Sequence, residues 1–260
     1  MDSRTRGART MGRHKVDLQL AYEPREEWAH FVLHIEPEGG HVASAFNRAL
    51  SFEERDSPYV HEWLGRLRSC EPTALHCALV EKAKIPRLFH PCVYDDKDSP
   101  AAVQRSGCTC RQTWYDPEFG LPVVGEHYRT VGGAIETWTY LTYTPLALRA
   151  NDTFEALIVD AQAGQYWIRT GDGILALAPQ DRLRGFNIGY GGGGPTELAR
   201  YIQRIVASRG RDTGVDVTRR HRDADLPRHI HDWVSNKAAA VTAELTLEDL
   251  AAIQRGHRRA

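Results

Sequence analysis

The sequence predicts an α+β fold made mostly of antiparallel strands, with helices in the middle of the chain and at its C-terminus. Two observations lead to this prediction. Short segments that alternate apolar and polar residues, or that are rich in β-branched and aromatic residues, are separated by glycine-containing turns, as in antiparallel sheets. Other segments, around Trp63 and around Ile202, repeat apolar residues every three or four positions, which indicates amphipathic helices.

The composition is that of an ordinary globular protein. Of the 260 residues, 42% are hydrophobic and 26% are charged, and this length suffices for one large domain or two smaller ones. The net charge of −1 excludes a general electrostatic attraction to nucleic acid. No apolar run reaches membrane-spanning length, and the first residues lack the apolar core of a signal peptide. We therefore expect a cytoplasmic protein without a membrane partner.

The first 15 residues are expected to form a disordered basic tail, because five arginine and lysine side chains face one aspartate without periodic apolar residues. Such a segment is either a solvated tail or an arm that binds nucleic acid. Residues 16–130 are then expected to form an N-terminal α+β unit. Its alternating pattern predicts strands at Val16–Tyr22 and His30–Glu36, and a third extended segment at Val42–Phe46.

Two helices and an irregular segment complete this unit. Ser57 can cap the first helix, because a serine oxygen accepts from the N–H groups of the first turn. The second helix is predicted from Pro72 to about Ala83. Residues 85–124 contain five prolines and are expected to be irregular. So long an irregular stretch in a compact domain indicates a metal, a binding loop or disorder.

Residues 131–207 are expected to form a second unit, made of strands, a glycine loop and a helix. Ala134–Thr144 is rich in β-branched and aromatic residues and predicts a strand. Short turns with glycine then separate three further segments, which predicts a β-meander. These segments are Thr153–Val159, Gln165–Thr170 and Ile174–Ala178. The meander leads directly into the glycine loop.

The most constrained stretch of the chain is the glycine run Gly191–Gly194, which continues through Pro195 into a helix. Pro195 is expected at the first helical position and Glu197 in the first turn. Consecutive glycines imply positive φ angles or a close approach to another group. That group is either an anion held by backbone N–H groups, or the protein's own backbone or an aromatic ring such as Tyr190 or Phe186, which would make the loop a structural turn.

The anion interpretation defines a set of candidate ligand-binding residues. The P-loop pattern is absent, since no Lys-Ser or Lys-Thr follows the glycines. The dinucleotide fingerprint lacks a surrounding strand-helix-strand unit. The candidate set is Tyr190, Gly191, Gly192, Gly193, Gly194 and Thr196, with Arg184 and Arg200 as supplementary positive charges. The ligand class is a nucleotide, a nucleic acid or another phosphate-bearing or acidic molecule.

Gly164–Val206 resembles a family of small bacterial domains of unknown function, common on actinobacterial chromosomes and mobile elements. Those domains combine a short three-strand meander, a G-F-x-W/I-G-Y-G-G-S/G-G-P signature and an apolar helix. The matching positions here are Phe186, Gly189, Tyr190, Gly191, Gly192, Gly194 and Pro195. The family usually has tryptophan where this chain has Ile188. The resemblance implies a fold unit and no particular chemistry.

Residues 208–260 are expected to be a polar linker followed by C-terminal helices. The first of these helices is predicted at Leu226–Val241, with Asp225 as its cap. The last begins at Thr246, because Asp249 three residues later completes a capping-box pattern.

Two pairs of residues in the irregular segment are candidate metal ligands: His90 with Cys92, and Cys108 with Cys110. Thiolate and imidazole groups in a tetrahedron are a normal ligand set for structural zinc. However, zinc knuckles commonly place two or more residues between paired ligands, and free cysteines are often small buried hydrophobes. Both interpretations stay open. His229 and His231 are interpreted as surface histidines, because residues i and i+2 of a helix do not face each other.

A second functional interpretation is an enzymatic site around Cys92–His127. A reactive cysteine needs an accessible position and a lowered pKa. Cys110, which precedes Arg111, is the best candidate, and His127 is available in the sequence as its base. Aromatic residues near arginines on predicted strands would suit base stacking, although such residues are more often cross-strand pairs.

The sequence thus predicts a binding protein that holds a nucleotide, a nucleic acid or another acidic ligand at the glycine loop. The alternatives are a hydrolase or transferase with a site in Cys92–His127, and a structural or assembly protein of a mobile element. The oligomeric state is not predicted.

Overall fold

The computed structural model describes residues 6–11, 14–21, 30–32, 49–53, 57–82, 108–130, 135–180, 185–214 and 226–257. The strands are β1 (Arg6–Met11), β2 (His14–Ala21), β3 (His30–Val32), β4 (Ala49–Glu53), β5 (Arg68–Ser69), β6 (Cys108–Asp116), β7 (Leu121–Arg129), β8 (Glu136–Tyr143), β9 (Phe154–Asp160), β10 (Gln165–Thr170), β11 (Leu175–Leu177) and β12 (Ala243–Thr246). The helices are α1 (Pro58–Arg66), α2 (Ala74–Lys82), α3 (Gly193–Ser208), α4 (Arg228–Ser235) and α5 (Leu247–Gln254), with a 3₁₀ turn at Lys237–Ala239.

The strands form antiparallel sheets, which confirms the predicted α+β class. The order is β1-β2-β3 in a small sheet, β4-β8-β7-β6-β5 in a five-stranded sheet and β11-β10-β9-β12 in a four-stranded sheet. The five-stranded sheet contains strands from both sides of residue 130, the predicted boundary between units, since β8 pairs with both β4 and β7. None of the helices in the described ranges has the length and apolar character needed to span a bilayer.

Helix α1 joins the two larger sheets. Its Trp63 ring lies 6.3 Å from the Tyr140 ring of β8 and 6.1 Å from the Trp167 ring of β10, measured between centroids. The predicted cap is confirmed, because Ser57 Oγ accepts from the N–H of Val60. The same hydroxyl donates to Asp160 Oδ2 at 2.6 Å, so the cap also ties the helix to β9.

A buried carboxylate holds the other end of α1. Asp116, the last residue of β6, accepts from Arg66 Nη2 at 2.7 Å and from Trp63 Nε1 at 3.3 Å. Arg66 also donates to the backbone oxygen of Leu175 on β11. These hydrogen bonds of Asp116, Trp63 and Arg66 fix the position of α1 between the two sheets, because a buried polar group that lost its partner would be destabilising.

The remaining helices cover the outer faces of the sheets. On the four-stranded sheet, residues alternate between the α1 side and the side facing α3, α4 and α5, as the two-residue period of a strand requires. The core on the side of α3, α4 and α5 consists, among the described residues, of fifteen buried ones: Leu157, Val159, Tyr166, Ile168, Ala178, Leu198, Ala199, Tyr201, Ile202, Ile205, Ile230, Val234, Leu245, Leu250 and Ile253. Leu79 and Val80 of α2 pack on the other face of the five-stranded sheet against Val124 and Leu141.

Helix α2 also buries a histidine in its neutral form. The Nδ1 atom of His76 accepts from the Thr73 N–H at 3.1 Å, and Nε2 lies 2.8 Å from the Trp114 carbonyl oxygen, to which it donates. Both ring nitrogens are therefore satisfied without an extra proton. Desolvation by burial is the main reason why the pKa of His76 is lowered from its ordinary 6.5.

We expect His76 to make stability depend on pH. The folded state keeps the imidazole neutral, whereas the unfolded state takes up a proton below pH 6.5, so stability is complete above that pH and is lost as the pH falls. Between pH 7 and pH 5.5 the unfolding free energy should drop more in the wild type than in His76→Gln, by at most about 1 kcal/mol. Urea unfolding at both pH values measures this difference, and equal drops would contradict it.

Several predicted boundaries differ from the structure. Residues 108–116 and 121–129 form the hairpin β6–β7, whereas the whole of 85–124 was expected to be irregular. Two of the prolines are compatible with this hairpin, because Pro117 lies outside both strands and Pro122 lies near the start of β7. Residues 83–107 and the predicted segment Val42–Phe46 lie outside the described residues.

The two ends of the chain also differ from expectation. Within the predicted disordered tail, Arg6–Met11 is a strand paired with β2, since backbone pairing does not require periodic apolar side chains. The predicted helix Leu226–Val241 is shorter, because Asn236 ends it and caps the following 3₁₀ turn with its side chain. Strand β12 was not predicted, whereas the capping box of Thr246 and Asp249 is confirmed.

Candidate functional site

The glycine loop is anchored at two points before the four-glycine run. The Phe186 ring packs against Tyr166 and Tyr201, with ring centroids 5.8 Å and 4.9 Å away. Gly189 has φ 90°, a left-handed conformation that favours glycine, and its N–H donates to the Val234 oxygen of α4 at 2.7 Å. The loop is therefore fixed between the core and α4.

Close approach explains two of the four glycines, Gly192 and Gly194, and none of the four has a left-handed backbone. No residue of the run Gly191–Gly194 lies in the left-handed region, and Gly192, at φ 171°, is extended. A Cβ atom at Gly192 would lie 2.5 Å from the Tyr190 ring, and one at Gly194 would lie 2.7 Å from Asn187 Cβ. A Cβ at Gly191 would meet nothing within 4 Å. The contact of the Tyr190 ring with Gly192 agrees with the interpretation of the loop as a structural turn.

The backbone N–H groups of the run remain available. Helix α3 begins at Gly193, and its first backbone bond runs from the Thr196 N–H to the Gly192 oxygen at 3.1 Å. Within the described part of the chain, the N–H groups of the run Gly191–Gly194 donate to no acceptor. Gly191 is exposed, the next two glycines are half-buried and Gly194 is buried. Three of these donors thus belong to residues that keep contact with solvent.

One loop side chain and two helix side chains lie near these donors. Tyr190 is 46% exposed, and its hydroxyl lies beside Gly194. The Thr196 hydroxyl donates to the Gly192 oxygen at 2.9 Å, and His231 Nε2 lies 3.5 Å from the same hydroxyl oxygen. His231 is half-buried at the amino end of α3, whereas the sequence interpretation placed it on the surface. No sequence signal indicated this position, because it depends on how α4 packs on α3.

The charged residues near the helix start differ from the prediction. Pro195 is the third helical residue and not the first, and the first turn of α3 contains no acidic residue. Glu197, expected in that turn, instead pairs with Arg200 at 2.9 Å. Arg200 is therefore ion-paired within its own helix, and its role as a supplementary charge stays a prediction. Arg184 lies outside the described residues.

The predicted zinc ligands are described only in part. His90 and Cys92, like the side chain of Cys108, lie outside the described residues. Cys110 lies on strand β6 and is buried, not in an irregular segment. Among the residues that are described, no group of three or more histidine, cysteine or acidic side chains could hold a metal ion. The zinc site stays a prediction.

Cys110 and His127 face each other across β6 and β7. The sulfur lies 3.7 Å from His127 Nδ1, and His127 Nε2 lies 2.8 Å from Glu136 Oε1 on β8. The sequence suggested Cys110 and His127 as a pair but gave no signal for Glu136. This thiol–imidazole–carboxylate cluster is separate from the glycine loop.

The aromatic residues considered for base stacking mainly form cores. Trp167 is fully buried, and Trp114 and Trp138 pack against the core beneath α1. Tyr115 and Tyr190 keep 36% and 46% of their surface exposed.

No protein-family model, curated protein or solved structure matches the chain. The resemblance of Gly164–Val206 to the bacterial domain family therefore stays a prediction.

Proposed function

We propose that this chain is a binding protein that holds a phosphate-bearing or acidic ligand at the amino end of α3. One observation carries the proposal: the consecutive N–H groups of Gly191–Gly194 donate to no acceptor in the described residues. Backbone donors shielded from water are nearly always paired, with protein, water or ligand. Gly194 is buried and the two glycines before it are half-buried, so a row of such donors at this helix start favours an acceptor from outside the chain.

An anion is the acceptor that fits these donors best. A helix of 16 residues carries about half a positive charge at its amino end, and its first N–H groups point outward along the axis. Phosphate and carboxylate oxygens accept several such bonds at once. The Tyr190 hydroxyl and the His231 imidazole supply further donors beside the same helix start.

The Tyr190 ring does not compete with this use of the loop. It occupies the direction in which a Cβ of Gly192 would point, and so explains why that residue is glycine. The packing of Tyr190 therefore concerns the Cα of Gly192, whereas the ligand proposal concerns the backbone N–H groups of the run.

The test uses Gly191, where a side chain fits without a clash. In Gly191→Asp the new carboxylate lies beside the amide donors and repels an anion, whereas Gly191→Asn has the same shape without the charge. Inorganic phosphate, ATP and a single-stranded oligonucleotide are titrated calorimetrically against wild type and both variants. We expect the aspartate to weaken binding of at least one of them about tenfold, or about 1.4 kcal/mol.

The three ligands identify the class that is bound. Binding of phosphate alone indicates a simple anion, and tighter binding of ATP or the oligonucleotide indicates a nucleotide or nucleic acid. The asparagine variant should bind within about threefold of the wild type, because it adds no charge. Absence of binding by all three ligands, or equal binding by both variants, would contradict the proposal.

A further inference from the structure

A second, independent cluster lies at one end of the five-stranded sheet. Cys110 is the third residue of β6, His127 lies two residues before the end of β7, and Glu136 is the first residue of β8. Because these strands are adjacent and antiparallel, all three side chains come to the same end and the same face of the sheet. Cys110 and His127 are direct cross-strand partners in this register.

The imidazole of His127 lies between the thiol and the carboxylate. Its Nδ1 is 3.7 Å from Cys110 Sγ, and its Nε2 is 2.8 Å from Glu136 Oε1. The two nitrogens thus point to two different partners. A carboxylate that accepts from Nε2–H leaves Nδ1 as the nitrogen that can take a proton, and stabilises the positive ring that results.

A tryptophan restricts rotation of the imidazole. The Trp138 ring stacks on the His127 ring with centroids 4.5 Å apart and planes 17° from parallel. Stacking on one face and a carboxylate at one edge keep Nδ1 directed at the sulfur. A nucleophile needs this kind of fixed base, because proton removal depends first on geometry.

We propose that Cys110 is the nucleophile of a covalent site, with His127 as its base and Glu136 as a positioning residue, and that the site takes small uncharged acyl esters. The substrate class follows from burial. Cys110 and His127 are 1% and 2% exposed, so a charged group brought to the sulfur would lose its hydration. Arg129 Nη1 lies 4.0 Å from Glu136 Oε2, so this preference rests on burial and not on the charge of Glu136.

The reaction balances with groups that the cluster contains. The Cys110 thiol gives its proton to His127 Nδ1, and the thiolate attacks the carbonyl carbon of the ester. The carbon–oxygen bond to the alcohol breaks, and the leaving alcohol takes the proton from His127. Water then attacks the resulting thioester while His127 accepts a proton from it and returns that proton to the sulfur. The products are one alcohol, one carboxylic acid and the original thiol.

The first experiment detects the covalent step in the full-length protein. The protein is treated with p-nitrophenyl acetate, nitrophenol release is followed by absorbance, and acetylated cysteines are located by mass spectrometry. Cys70 and Cys77 are internal references, because both are more exposed than Cys110 and burial raises the pKa of each thiol, so faster acetylation of Cys110 could not come from exposure. We expect Cys110 to be acetylated at least about tenfold faster than either reference.

A pair of alkylating reagents tests the charge preference. Iodoacetamide and iodoacetate have nearly the same shape and differ in charge, so their rate ratio at Cys110 reports the local field. We expect this ratio to exceed the ratio at Cys70 and Cys77 by about threefold or more. Equal ratios at the three cysteines would overturn the uncharged substrate class.

Variants separate the two supporting roles. His127→Gln should slow acetylation of Cys110 about a hundredfold and leave Cys70 and Cys77 unchanged. Glu136→Ala, at a half-exposed side chain that tolerates substitution, should slow it about tenfold. Glu136→Gln should restore most of the rate, because its amide oxygen still accepts from Nε2–H. A purely structural role for Glu136 would not distinguish alanine from glutamine in a folded protein.

Two outcomes would overturn the proposal. One is acetylation of Cys110 only after denaturation, and the other is a rate that His127→Gln does not change. Phosphate binding at the glycine loop should be the same in all of these variants, so failure of this site leaves the proposed binding function untouched.

Discussion

Replacement of Asp116 by alanine is expected to lower the free energy of unfolding by about 3–5 kcal/mol. The carboxylate is only 3% exposed and accepts from two nitrogens of Arg66, from Trp63 Nε1 and from the Glu118 N–H. Removal leaves the part-buried Arg66 charge without its partner. Breaking a buried ion pair from one side costs far more than the intact pair contributes, because the remaining charge stays desolvated.

A surface ion pair provides the control for this prediction. Glu62 bonds Arg169 at 2.9 Å and 3.0 Å, and its side chain is 42% exposed. Glu62→Ala should therefore cost at most about 1 kcal/mol. Urea unfolding followed by circular dichroism measures both variants. An Asp116→Ala variant no less stable than Glu62→Ala would show that this carboxylate does not anchor α1.

Trp63→Ala should be about as destabilising, by about 3–5 kcal/mol. The side chain is 1% exposed and contacts aromatic rings of both larger sheets, Tyr140 and Trp167. Its loss opens a cavity where the sheets and α1 meet, and neighbouring rings cannot fill that volume without leaving their own contacts. The cost therefore combines lost burial with a residual cavity.

The phenylalanine variant separates packing from hydrogen bonding at this position. Trp63→Phe keeps an aromatic ring in the core but removes the Nε1–H that donates to Asp116, so we expect a smaller loss of about 1–2 kcal/mol. The same denaturant titration compares the two variants. A phenylalanine variant as unstable as the alanine variant would mean that the hydrogen bond, and not packing, dominates.

Local signals account for the parts of the fold that the sequence predicted correctly. The caps at Ser57 and Thr246 act within one helical turn, and the glycine turns of the meander act between neighbouring strands. The hairpin β6–β7 was missed because its prolines were taken as a sign of irregular structure. Strand β12 was missed because it pairs with β9, more than 80 residues away in sequence.

The sequence predicted only part of the candidate site, because only part of it is formed by residues that are neighbours in the sequence. The glycine run and the helix after it are contiguous, so the sequence located the amide donors. His231 comes within 3.5 Å of the Thr196 hydroxyl oxygen only because α4 packs on α3, which no local pattern encodes. The triad of Cys110, His127 and Glu136 depends on the register of three strands, and a shift by one residue would turn each side chain to the opposite face.

The most direct test of the proposed function observes the amide groups themselves. In ¹⁵N-labelled protein, backbone resonances of Gly191, Gly192 and Gly193 are followed by two-dimensional NMR as inorganic phosphate is added, with Gly120 and Gly164, in turns far along the sequence, as references. We predict saturable shifts of the three loop amides at constant pH and ionic strength, with the reference glycines unmoved. Loop amides that stay in place at saturating phosphate, or that move only together with the references, would contradict the account.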